Sequence, residues 1–449
     1  MPSPFWTRVG LGRPELRAWA MYDWAASAMQ TTIMVAVFPI FFVKVAGAEV
    51  AASTATQRLA TVNTAALVVI ALLSPILGAI SDYGGLKKPL LGGFMLIGAA
   101  AVAGMFCLQH GDLNLASALF MVALIGAAGS FVFYEALLPH LARGEEIHRV
   151  STAGYAIGYL GGGILLAVNL LWIQKPQWFG LPAGPGLSEP AATLPVRLAF
   201  LSVAVWWVLF SLPLFRRVPE PPASLEPEER PGESTVRVAF SRLADTFREL
   251  RGYRQAFLML LAFLIYNDGI QTIIKMATAY GTEIGIGQGA LIGAILLVQF
   301  VGIPCSFLFG AVALRIGAKR AIFLGLVAYT LISILGYFMT NAVHFYALAA
   351  LVGMVQGGTQ ALSRSLFASM IPQHKSGEFF GFFSVFEKFA GIFGPLIFAG
   401  TIAATGSSRN AILSVIVFFA LGAALLWLVD VAEGQRAARE ADHLATPAL

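Results

Sequence analysis

Three sets of polar side chains recur at helical spacing inside long apolar runs. Asp23, Ser27, Gln30 and Thr31 fall at i, i+4, i+7 and i+8; Asp268, Gln271 and Lys275 at i, i+3 and i+7; Gln356, Gln360 and Arg364 at i, i+4 and i+8. On an α-helix each set shares one face. Ionisable groups within a membrane span are expensive and mark solute or ion paths by default. A carboxylate there can carry a proton, because low-dielectric surroundings favour its neutral form. Amides and cations can orient a solute. Acidic and basic groups together suit a zwitterion such as an amino acid or small peptide; an acidic or phosphorylated solute anchored by Arg364 and Lys275 is the alternative. Each set also has a purely structural reading. Asp268 and Lys275 could form a static pair, although seven residues is long for direct contact. Asp23 and Glu135 lie near helix ends and could cap them or face water. Arg364 could pair permanently with one of these two acids; alternatively that pair is a gate, formed when the cavity faces outward. Glu387 and Lys388 are adjacent, so on a regular helix they point about 100° apart and one of them is expected to face the cavity.

The elements that must carry these residues are membrane helices. Of 449 residues, 58% are hydrophobic and 12% charged, against about 25% charged in soluble domains. Mean hydropathy is +0.77. The apolar residues form runs long enough to span a bilayer as helices, and backbone groups in lipid must be satisfied within each segment. The runs lack the alternation of a transmembrane β-barrel. Twelve segments are predicted, from Trp19–Lys44 to Leu194–Phe215 in the first group of six and from Arg254–Tyr280 to Ala411–Asp430 in the second. The eleventh is expected to run unbroken over Glu378–Ala403. The expected fold is all-α and polytopic: a six-helix half at 1–215, a linker at 216–253 and a second half at 254–449. The linker is rich in Pro, Glu and Arg and cannot bury a core; Val236–Leu250 could be an amphipathic surface helix.

Loop charge sets the expected orientation. Arg8, Arg13, Arg17, Lys87, Lys88, Arg143, Arg149, Arg315, Lys319, Arg320, Lys375, Arg436 and Arg439 share one side with the linker arginines; Arg58, Lys175, Arg197 and Arg409 lie on the other. The basic side is cytoplasmic, which puts both termini inside. The first fifteen residues show no leader-like apolar stretch. The net charge of +5 belongs to these loops, so no nucleic-acid partner is expected; lipids, a small-molecule substrate and protons are. Cys107 and Cys305 are far apart, and the six histidines form no metal-spaced cluster, so neither a disulfide nor a metal is expected. No cofactor is expected either. A Walker loop, a His-Glu-x-x-His pair and a Gly-x-Ser-x-Gly elbow are missing, which argues against a pump or an enzyme. A channel and a sensor are weaker readings; the tail Val431–Leu449 is too short for a sensor domain.

An internal repeat joins the halves. Gly78, Asp82, Gly85, Lys87 and Lys88 follow the second segment; Gly310, Leu314, Gly317, Lys319 and Arg320 recur at the same spacing after the eighth. The fourth and tenth segments each end at a proline, Pro139 or Pro372. Duplicated halves are a transporter architecture, with substrate held near the midplane. The first loop resembles the major facilitator signature. That resemblance implies that Asp82 anchors charge contacts closing the cytoplasmic side, with Lys88 beside it; Leu314 replaces the acid in the second copy, which is then expected to lack the matching contact. It also implies that the first, fourth, seventh and tenth helices line a central cavity, and that a monomer is the working unit. Four further motifs look like the vacuole-effluxer branch, related to the autophagy amino-acid exporter: Tyr22-Asp23-Trp24-Ala25-Ala26-Ser27-Ala28, Tyr266-Asn267-Asp268-Gly269, Gly357-Gly358-Thr359-Gln360 running on to Ser365, and Glu378-Phe379-Phe380-Gly381. This second resemblance implies amino-acid efflux. Small residues permit close helix approach, so Gly154, Gly158 and Gly162, and Gly289 and Gly293, are expected to form the seam that slides.

Overall fold

The computed structural model describes residues 4–184, 186–223, 252–390 and 393–445. Most of the expected linker, including Val236–Leu250, lies outside them. Among the described residues there is no strand, as hydrocarbon solvation requires of runs this apolar. Twelve helices are long and apolar enough to span a bilayer: α1 Pro14–Ala46, α2 Thr54–Gly84, α3 Lys87–Cys107, α4 Leu113–Leu141, α5 Glu145–Gln174, α6 Leu194–Arg217, α7 Arg254–Ala277, α8 Gly289–Ile316, α9 Ala318–Tyr337, α10 Ala342–Ala368, α11 Gln373–Thr405 and α12 Ser408–Trp427. A last helix, α13, covers Val431–Ala445.

Two spans depart from regular geometry where the cavity will need them. In α1 the segment Met29–Ala36 is π-helical, a distortion often found at functional sites. In α11 the helix stops at Phe389, Ala390 is extended, and helix resumes at Phe393. The expected unbroken eleventh span is therefore corrected to two half-helices.

The repeat is visible in the backbone. Gly85 and Gly317 take the corresponding positions after α2 and α8 with φ of +59° and +87°, a region open to glycine at little cost. The basic residues beside them behave differently from the expectation. Lys87, and not Lys88, donates to Asp82. Lys88 reaches away to the carbonyls of Phe215 and Val218 at 3.0 and 2.6 Å, while its N–H donates to Glu220. The physical reason is that α3 begins at Lys87: the helix turns the second lysine toward the end of α6. In the second copy, where Leu314 removes the acid, Lys319 donates to the carbonyls of Trp427 and Val429.

The halves interlock at the face that carries α13. There α2 packs on the first part of α11, and α5 on α8 and α10. Asp82 Oδ2 accepts from the N–H of Glu378 at 2.9 Å across this boundary. A Cβ on Gly78 would overlap the carbonyl of Gly377, so the two backbones touch. Gln373 links the same face, donating to the Pro139 carbonyl and accepting from Arg143. Helix α13 holds the Gln373 loop in turn: Asp442 accepts from the Gln373 N–H at 2.8 Å and pairs with His374 at 3.1 Å. Burial alone would raise the Asp442 carboxyl, but these hydrogen bonds hold it below the usual carboxylate range.

The glycines expected to form a sliding seam do something else. Gly154, Gly158 and Gly162 make room for Asp23, Ser27 and Thr31 of α1, inside the first half. Gly293 faces Tyr346 inside the second half, and Gly289 has open space beside it. The close contacts between halves fall at Gly78, Gly377, Gly381, Gly302 and Gly310. Helical spacing reveals a smooth face but not which neighbour it meets.

Candidate functional site

Between the halves lies a cavity of about 690 Å³. Of the residues read from the sequence, Asp23, Gln30, Glu135, Gln271, Lys275, Gln356 and Gln360 line it. The π-helical turn of α1 presents Gln30, Thr31 and Met34 to this space. The interlocked face described above closes one end, and Tyr280, Met339 and Phe345 line the wall toward the other.

Two expected cavity residues are not in its wall. Arg364 lies beneath the floor, 1% exposed. It comes from α10, yet almost everything it touches belongs to the first half. Its Nε donates to Ser151 Oγ at 3.0 Å and its Nη2 to the Ser151 carbonyl at 3.2 Å. The carboxylates of Asp23 and Glu135 stand 3.8 and 3.9 Å from Nη2 and Nη1. The guanidinium also lies over the rings of Tyr155, Trp19 and Tyr134, at 4.7, 5.1 and 5.8 Å. Tyr134 donates its hydroxyl to Asp23 at 2.6 Å, and Trp19 stacks on Tyr134 at 4.5 Å. A planar, always-charged group with five donors suits this mixture of carboxylate, hydroxyl and ring faces better than an ammonium does. Gly154 lets the arrangement close, since a Cβ there would lie 2.7 Å from Asp23 Oδ2.

Asp268 is the second correction. It is 1% exposed and turned from the cavity toward the break in α11. Its oxygens accept from the N–H groups of Phe393 and Gly394 at 3.1 and 2.9 Å. A carboxylate at a helix start satisfies free N–H groups and meets the positive end of the helix dipole. Asp268→Ala is accordingly expected to cost about 1 kcal/mol of stability, read as a lower melting temperature in detergent. Asp268→Asn keeps one acceptor and should lose less. Transport per folded molecule should survive both changes; an unchanged melting curve with abolished transport would put Asp268 back on the solute path.

The sequence reading left several wall residues out of its site. Tyr155 and Tyr159 of α5 face the cavity, as do Gln299, Asn63 and Tyr280. Among the described residues, Gln299 Oε1 and the Tyr280 hydroxyl are buried without a hydrogen-bond partner, which is unusual for buried polar atoms. Tyr155 and Tyr159 stand at i, i+4 beside the glycine face of α5, a legible polar-aromatic pair in an apolar span. Glu387 and Lys388 both line the cavity, contrary to the expectation that only one would. Both lie within the helix that ends at Phe389, so their Cβ atoms do diverge, and it is the length of the two side chains that lets their charged ends meet in one space. Gly78, Asp82, Gly85 and Lys88 all sit on the interlocked face, outside the cavity.

Twelve spanning helices among the described residues, in two six-helix halves, with a cavity between them that is closed at one end and carries polar side chains on a mostly apolar wall, define a transporter of the major facilitator type. The comparisons with known proteins agree. The family model described as "Vacuole effluxer Atg22 like" matches residues 42–439, and the chain belongs to that family. It is 37% identical over 415 residues to the uncharacterized MFS-type transporter YxiO of Bacillus subtilis (strain 168), covering 92% of this chain and 94% of that one. It is 28% identical over 328 residues to autophagy-related protein 22 of Yarrowia lipolytica (strain CLIB 122 / E 150), and that match spans 52% of the fungal protein. Among solved structures, the major facilitator transporter FucP in its outward conformation superposes with a TM-score of 0.68 at 12% identity, over 93% of this chain and all of that one. The proton:xylose symporter XylE gives 0.63 at 14% identity, over 96% of this chain and 97% of that one. At such identities the likeness speaks for the fold alone. Fold and family are those of transporters, not enzymes.

Proposed function

We propose that this chain is a secondary transporter that moves a small zwitterion, an amino acid or a close analogue, out of the cell by alternating access, with protons as the coupling ion. It would sit in the bacterial cytoplasmic membrane as a monomer, with both termini inside, so that the interlocked face is cytoplasmic and the cavity faces outward. The observation that carries this reading is Arg364. It is a buried cation supplied by one half and held by Ser151, Asp23 and Glu135 of the other. Such a contact closes the cytoplasmic side and must break for the cavity to face inward. Its acids connect that gate to the solute space, since both also line the cavity. Loading the cavity, or protonating an acid, would then weaken the hold on Arg364. The family description supports efflux, and the mixed charges of the wall support a zwitterion.

The test is uptake into proteoliposomes of pooled radiolabelled amino acids, with and without a proton gradient, for the wild type and Glu135→Gln. Gradient-driven uptake is expected for the wild type, and gradient-independent exchange for the variant. No uptake of any amino acid would sink the substrate class and send the search to sugars, peptides and organic anions. Identical gradient dependence in the two proteins would sink proton coupling through Glu135.

A further inference from the structure

We infer that Glu387 and Lys388, at the break in α11, form the subsite that recognises the two charges of a zwitterion: Lys388 takes the carboxylate and Glu387 takes the ammonium. The inference rests on the zwitterion reading above and names the residues that would impose it. Adjacent residues on a helix point about 100° apart, and both of these lie in the last turn of the first part of α11, which ends at Phe389 before an extended Ala390 with ψ of 134°. Both side chains are long enough to bend toward one space, and both line the same cavity. Lys388 donates to Glu387, and their side chains keep 18% and 30% exposure.

Three features separate this pair from the other charges near the cavity. First, it has spare capacity. An ammonium has three donors and a carboxylate about four acceptor positions, and among the described residues the only side-chain hydrogen bond either makes is to the other. Asp23 and Glu135 are by contrast engaged with Arg364, and Asp268 with the backbone of α11. Second, the pair is weakly held. Partly exposed ion pairs contribute little, so a solute can replace the contact without undoing the fold. Third, the exchange conserves charge. A zwitterion that inserts between the two heads converts one ion pair into two and adds no net charge to a cavity with an apolar lining. A net anion or cation would leave one head facing an uncompensated charge, which is costly away from bulk water. An uncharged sugar would take the place of ionic partners with hydroxyls alone. The amides of Gln271, Gln356 and Gln360 on the cavity wall are left for the rest of the solute.

The experiment measures equilibrium binding to purified protein of the best-bound radiolabelled L-amino acid from the pool, with competition by its methyl ester, a net cation, and its N-acetyl derivative, a net anion. The wild type should prefer the free amino acid to either derivative by about tenfold or more, the penalty for leaving a polar partner unmatched. Lys388→Gln should bring the methyl ester to parity with the amino acid. Glu387→Gln should do the same for the N-acetyl derivative. These are ratios within each variant, so the amount of folded protein cancels, and misfolding cannot shift them in opposite directions. If both variants keep the wild-type order, the subsite is overturned while the transporter reading stands. If the wild type binds no amino acid, both readings fall together.

Discussion

Arg364→Ala is expected to abolish transport and to open the α13 face of the protein. The substitution removes the cation that, among the described residues, stands within 4 Å of both Asp23 and Glu135, two acids that are each only 5% exposed. Breaking a buried pair by removing one partner costs about 3–5 kcal/mol. That cost falls on the closed arrangement alone, because separation of the halves hydrates the acids. At about 1.4 kcal/mol per factor of ten, the balance should move by about two to three and a half orders of magnitude toward the form open at the α13 face. Labelling reads this out. With Cys107 and Cys305 replaced by serine, a cysteine at the fully buried Ser151 should resist a maleimide applied from the α13 side and react once Arg364 is lost. Arg364→Lys should fail to rescue. It keeps the charge but loses the Nε donor to Ser151 and the planar face against Tyr155 and Trp19. A permanent structural bridge would behave differently: the protein would melt early, with no change in labelling per folded molecule.

The second large effect is steric. Gly78→Val should hold the same face open by a clash. A Cβ at Gly78 meets the Gly377 carbonyl at overlap distance and Glu378 Cα at 3.1 Å, and backbone on an interlocked half-helix has nowhere to retreat. Overpacked contacts commonly cost about 1–3 kcal/mol even where side chains can adjust. Net transport should fall by at least tenfold, because the α13 face can no longer close and the cavity cannot return to its opening on the other side. Spin labels at Leu86, between α2 and α3, and at Ile316, the last residue of α8, both exposed and in opposite halves, should report a longer separation than in the wild type. Gly289→Val is the control. Helical spacing alone marks Gly289 as part of a seam, yet its Cβ would meet nothing within 4 Å, so transport and distance should stay at wild-type values. An unchanged distance in Gly78→Val would mean that the two backbones do not separate during the cycle.

Both predictions concern residues whose types were readable in advance; a pairing of Arg364 with Asp23 or Glu135 was readable too, whereas its hold on Ser151 and the contact of Gly78 with Gly377 were not. The sequence determined that the chain crosses the membrane twelve times, that it is built of two related halves, and that its acids, amides and cations stand at helical spacing on a few spans. Hydrocarbon leaves the backbone almost no alternative to the helix, so an apolar run is nearly a structure in itself. The tertiary structure decided which way those side chains turn. Asp268 and Asp23 look alike in sequence, each a lone acid in an apolar helix. One caps a half-helix whose start cannot be seen until α11 breaks, and the other meets an arginine more than three hundred residues away. Lys87 and Lys88 are adjacent and chemically identical, and the onset of α3 alone assigns Asp82 to the first of them. Glu387 and Lys388 share a cavity although a regular period points them about 100° apart, because their long side chains turn back toward each other. Periodicity reports direction within one helix. The rotation of that helix against its neighbours, and the places where it ceases to be regular, follow from contacts between distant segments, and those contacts fix the site.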